Sequence, residues 1–136
     1  MIDKGDTLMK KVLLWLWQLP QNILGLLVIL FTGAKNTGTH WVIRNPDNTR
    51  YFGVSLGNYI IFGNYPNKKS LKHEQGHQRQ SLYLGPLYLL LIGLPSITGN
   101  IYDRIVHRNW GYLARVTWYY RQPWEAWADK LGGVVR

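Results

Sequence analysis

Two long stretches of this chain are apolar and uncharged, residues 12–31 and 82–97, and the region between them turns from alternating to strongly polar. The first stretch is interrupted by Gln18, Pro20, Gln21 and Asn22. A helix that spans a bilayer needs about 20 apolar residues in a row, so the interruption predicts two shorter helices, with Pro20 in the first turn of the second. Lys10-Lys11 ahead of an apolar run also suits a secretory signal, but the run breaks early and no small-residue cleavage site follows. The two helices are expected either to lie on or dip into a bilayer, or to pack as a buried hairpin. Residues 82–97 contain Pro86 and Pro95 and are too short for an ordinary span. A core helix and a membrane-inserted or re-entrant element both fit them.

Between these stretches, residues 39–44, 49–56 and 59–62 have strand character. Asn45-Pro46-Asp47-Asn48 and Gly57-Asn58 supply turn chemistry between them, and an antiparallel three-stranded meander is expected. After a loop containing Pro66, a helix should start near Asn67 or Ser70, both good caps, and run to about Leu84, where Gly85-Pro86 ends it. From residue 68 to 81 its one large apolar side chain is Leu71. A helix that polar is usually a solvated face. Set between a sheet and an apolar segment, it predicts a buried polar site instead, with Lys72 and Arg79 facing outward. Residues 98–109 are polar, and residues 110–121 are an aromatic-rich helix or extended segment. A last helix opens at Pro123, covers residues 124–131 and stops at Gly132-Gly133. The expected fold is α+β, one domain over residues 1–136, with an apolar helical segment (1–34) and a metal-binding body (35–136).

Charge and composition sharpen this. Sixteen Lys and Arg against seven acids give a net charge of +9, spread along the chain without a dense run. Nucleic acid is therefore not an expected partner. A basic surface with seven Trp and nine Tyr suits a membrane face, where rings sit at headgroup level and cations meet anionic lipid. There is no cysteine, so any zinc site must use histidine and carboxylate.

His73-Glu74-Gln75-Gly76-His77 reads H-E-x-x-H. On a helix, residues four apart share a face. His73 and His77 can thus hold one zinc ion, with Glu74 placed to act on its water. The chain has two glutamates, Glu74 and Glu125. The second opens Glu125-Ala126-Trp127-Ala128-Asp129, an acid pair at helical spacing that can supply a third ligand. A hydrolytic zinc site needs three protein ligands and an open position, which His73, His77 and Glu125 provide. Asp129, one turn on, can fix the ring of a ligand histidine. His107, Tyr119 and Tyr120 are candidates for oxyanion stabilisation.

The HEQGH segment followed by residues 125–132, EAWADKLG, resembles the gluzincin metallopeptidases. It is most similar to their membrane-associated branch, which includes the CaaX prenyl proteases and bacterial heat-shock relatives. By motif position the resemblance implies a zincin-like fold in which His73, His77 and Glu125 bind zinc, Glu74 is catalytic and Asp129 steadies a histidine, with His73 favoured. It also implies a peptide or protein substrate, paired along an edge strand within residues 49–56 or 59–62. Two rivals stand beside this expectation. One is a membrane-associated zinc-binding protein without peptidase activity. The other is a small basic membrane or interaction protein in which HEQGH is accidental.

Overall fold

The computed structural model describes residues 4–43 and 52–136. Helix α1 (Lys4–Trp17) and helix α2 (Leu19–Thr32) meet at an angle of 87°. Gln18 is the joint, and Pro20 lies in the first turn of α2. The polar residues that interrupt the apolar run point inward: Gln18, Gln21 and Asn22 are fully buried, while Ile23, Leu24, Leu26 and Leu27 of the same helix are exposed. Each of the three amides is tied to the protein by hydrogen bonds, although Gln21 Oε1 is buried without a partner among the described residues. Gln21 Nε2 donates to Ser81 Oγ and to the Gly85 carbonyl at 2.9 and 2.8 Å, and Ser81 Oγ donates to Gln18 Oε1 at 2.6 Å. The Asn58 backbone N–H donates to Asn22 Oδ1 at 2.7 Å. The bend is thus held by hydrogen bonds that would be lost if the helices straightened.

The sheet has four strands, β1 (Lys35–Asn36), β2 (Trp41–Val42), β3 (Gly53–Leu56) and β4 (Tyr59–Phe62), in the order β1-β2-β4-β3. β3 and β4 form the expected antiparallel hairpin through Gly57-Asn58, with Gly57 at φ 66°. The rest of the expected meander is corrected. β2 pairs with β4, not β3, and does so in parallel, while β1 adds an antiparallel edge from outside the three expected strands. The reason lies in β4 itself. Ile60, Ile61 and Phe62 are a continuous apolar run, at most 1 % exposed, and such a run takes the middle of a sheet. The turn expected at Asn45-Pro46-Asp47-Asn48 lies outside the described residues.

Helix α3 (Lys68–Leu84) starts where expected, with the Asn67 side chain accepting from the Ser70 backbone N–H at 2.8 Å, and ends at Gly85. A 3-10 turn (Gly85–Leu87) and a π-helical turn (Leu89–Gly93) then redirect the chain into helix α4 (Leu94–Val106). The two arms make an angle of 120°. Helix α5 (Tyr112–Tyr120) and helix α6 (Pro123–Gly132) complete the described residues, α6 ending on left-handed Gly133 at φ 74°. An apolar core of Ala34, Leu56 and Ile61, with Val28, Ile29, Trp41 and Leu89 against it, joins α2 to the sheet. No single described helix is long and apolar enough to cross a membrane.

α3 and α6 lie backbone to backbone. A β-carbon on Gly76 would come 1.9 Å from the Ala128 carbonyl oxygen, and one on Gly132 would come 2.0 Å from that of Lys72. This approach brings HEQGH and EAWAD together.

Candidate metal centre

The polar face of α3 is buried, as its setting predicted: His73, Glu74, His77, Gln80 and Ser81 lie inside, while Lys72 and Arg79 face out. Opposite them α6 presents Glu125, which is fully buried, and Asp129. One donor atom from each of His73, His77 and Glu125 falls within 4.8 Å of the others, a buried group able to hold a metal ion. Both imidazole Nε2 atoms stand 3.0 Å from the same oxygen, Glu125 Oε2.

The hydrogen bonds on the far side of each ring decide what these atoms can do. His73 Nδ1 is 2.7 Å from Asp129 Oδ1. His77 Nδ1 is 2.6 Å from Gln80 Oε1, and Gln80 Nε2 donates to the Trp124 carbonyl at 2.8 Å, which fixes the amide with its oxygen toward His77. Both acceptors call for a proton on Nδ1, leaving the lone pair on each Nε2. Two lone pairs then converge on a carboxylate oxygen, an arrangement that needs a proton or a cation between them. In tetrahedral zinc sites with bonds of about 2.0–2.1 Å, ligand atoms sit about 3.3–3.4 Å apart. The two nitrogen–oxygen separations of 3.0 Å would have to open by only a few tenths of an ångström. Donor chemistry, convergence and tautomer all fit a metal ion.

The titration behaviour follows from the same contacts. Burial opposes a charge on His73, but its hydrogen bonds to Asp129 and Glu125 outweigh that and raise it to about 9. Burial opposes a charge on His77 as well, and the Glu125 contact again leaves it raised. Glu125, despite burial, is held well below the usual carboxylate range by hydrogen bonds from the two histidines. Without a cation the site therefore keeps its charge balance with protons.

Glu74 takes no part in this set. It lines a cavity of about 400 Å³ together with His73 and His77, and its Oε2 is buried with no hydrogen-bond partner among the described residues. Burial raises its pKa. β3 runs so close that a β-carbon on Gly53 would come 3.1 Å from Glu74 Oε1. Of the oxyanion candidates, Tyr119 and Tyr120 line the same cavity. Burial raises both phenols, Tyr120 to about 12, so they are donors at neutral pH. His107 is not in the site. It is buried elsewhere, stacked on Trp110 with ring centres 3.7 Å apart and with Nδ1 3.0 Å from Asp103 Oδ1.

Three supporting residues were not singled out in the sequence. Gln80 sets the His77 tautomer, and its place three residues after His77 was a usable signal. Ser96 of α4 donates to Glu125 Oε1 at 2.5 Å. Arg136 holds Asp129. Neither of these last two carries a local signal. No family model matches this chain, and no curated protein and no solved structure matches it either.

Proposed function

We propose that this chain is a zinc-dependent metallopeptidase built on a zincin-like arrangement, with His73, His77 and Glu125 as ligands. The observation that carries the reading is Glu74: a buried carboxylate beside a three-donor group, its Oε2 without a hydrogen-bond partner among the described residues, in a cavity able to admit a substrate. A site serving structure alone has no use for a buried, unsatisfied carboxylate, which is destabilising. Zinc is the metal that suits two imidazoles and a carboxylate in a chain without cysteine. When bound, it supplies a Lewis acid that polarises a carbonyl and makes water acidic near neutral pH.

The chain's own residues do the rest. Glu74 Oε2 accepts the proton of the attacking water and returns it to the leaving amine. Its raised pKa brings it closer to the pH at which it must do both. Asp129 and Gln80 hold the two imidazoles in the ligating tautomer, and Ser96 fixes the second oxygen of Glu125. Among the described residues β3 is an edge strand and lines the cavity, which supports it as the strand that pairs with an extended peptide; β4 lies between β2 and β3. Membrane association belongs to the same reading. It is supported by outward apolar faces on α1, α2 and α4, by Leu30 and Phe31 at 75 and 83 % exposure, and by the net charge of +9.

Turnover of a mixed peptide library by zinc-loaded protein, followed by mass spectrometry, tests the activity. Glu74→Gln keeps size but cannot take a proton, so it should retain zinc and lose about 10²–10⁴-fold in rate. A variant as active as the parent would refute the mechanism. Zinc-loaded parent that cleaves nothing would leave a zinc-binding protein without peptidase activity.

A further inference from the structure

The sequence ends its last helix on a pair of glycines, and the residues after it fold back onto the metal centre. The Val134 backbone N–H donates to the Asp129 carbonyl at 2.8 Å, which turns the chain so that Arg136 faces Asp129. Arg136 then grips both oxygens of that carboxylate, Nε to Oδ2 at 2.6 Å and Nη2 to Oδ1 at 3.1 Å. Its guanidinium lies over the Tyr120 ring, 3.3 Å from the centroid. Tyr120 in turn meets the His73 ring edge-to-face at 5.0 Å. His73, Asp129, Arg136 and Tyr120 thus form a closed ring of contacts around one proposed ligand.

We infer that Arg136 is a positioning residue of the metal centre, acting on His73 through Asp129; the inference rests on the proposed ligand set. Asp129 alone touches His73 through a single hydrogen bond, about which its carboxylate could still rotate. The planar fork of an arginine removes that freedom, because two N–H groups in one plane meet two oxygens in one plane. Stacking on Tyr120 fixes the plane of the fork. The charge of Arg136 works against the metal, since a cation sits one residue behind a cation site. Charge alone therefore predicts that removing Arg136 tightens zinc binding, whereas positioning predicts that it weakens it. The sign separates the two.

The experiment is a zinc titration of metal-stripped, untagged protein against a chromophoric chelator, with the absorption spectrum of the cobalt(II) form as a second readout. Losing a carboxylate partner of a ligand histidine typically costs about 10–100-fold in metal affinity. Arg136→Ala, one contact further out, should cost about tenfold and alter the cobalt spectrum. Arg136→Lys should not rescue either, because an ammonium cannot grip both oxygens or stack. In an Asp129→Asn background, Arg136→Ala should add nothing further. Parent-like affinity and spectrum in Arg136→Ala, tighter zinc binding, or full rescue by lysine would each overturn the inference. If Arg136→Ala does not fold, Arg136→Lys decides on the same two readouts. A parent that binds neither zinc nor cobalt would instead refute the ligand set itself.

Discussion

His73 shows how one side chain can carry two opposite dependences on pH. Its ordinary pKa is 6.5, and in the metal-free fold Asp129 and Glu125 hold it up to about 9. A raised value means that the charged form is favoured by the fold. The stability this contributes is complete below pH 6.5 and is lost as pH rises through about 9. Zinc takes a neutral imidazole, so the metal-loaded form runs the other way. Zinc uptake at pH 7.5 should release at least one proton per chain, and affinity should climb between pH 7 and 9. Calorimetric titrations in buffers of different ionisation enthalpy measure the proton count; a count of zero would contradict the proton-balanced site. At this scale the sequence was highly legible. Helical spacing puts His73 with His77 and Glu125 with Asp129 on one face each, and Glu74 lines the cavity beside them; the glycine contact of α3 with α6 then joins the two faces. Ser96 and Arg136 were not legible, because they arrive from α4 and from beyond α6 and reveal themselves only through contact.

Helix α3 is polar and short of large apolar residues, yet it lies at the centre of the molecule. It can do so because its neighbour α6 packs against glycine instead of side chains. Gly76, the x before the second histidine of H-E-x-x-H, is the point of closest approach. Gly76→Ala inserts a methyl group into the Ala128 carbonyl, and backbone cannot yield as a flexible side chain can. The substitution should destabilise the fold by about 1–3 kcal/mol or more and drive Glu125 away from the histidines. Thermal unfolding and zinc binding should fall together. A Gly76→Ala protein with parental melting temperature and parental zinc affinity would show that the helices are not packed this way. The ends of α3 and α6 could be read from Asn67, Gly85, Pro123 and Gly133, each a local signal with a local cause. The parallel pairing of β2 with β4 could not. Strand order is a long-range choice, set here by the burial of Ile60, Ile61 and Phe62 and not by any turn.

Over the whole molecule, polarity is partly inverted. Gln18, Gln21 and Asn22 are buried and bonded, while leucines and isoleucines of α1, α2 and α4 face outward. The sequence pattern put a pair of membrane-facing helices narrowly ahead of a hairpin buried in a core. The proposed membrane association rests on the outward apolar faces; the two helix pairs are bent by 87° and 120°. Apolar area attracts such faces to a bilayer, and a basic surface adds to this for anionic lipid. The protein should float with vesicles containing anionic phospholipid, less so at high salt. A monodisperse, detergent-free protein that ignores vesicles would contradict this.

In the proposed function α3 and α6 build one zinc site from His73, His77 and Glu125. Elemental analysis of untagged protein, parent beside His77→Ala, tests it most directly. The parent should carry one zinc per chain and the variant close to none, since two remaining ligands hold zinc poorly. Zinc undiminished in His77→Ala, or a parent that takes up no zinc when it is supplied, would contradict it.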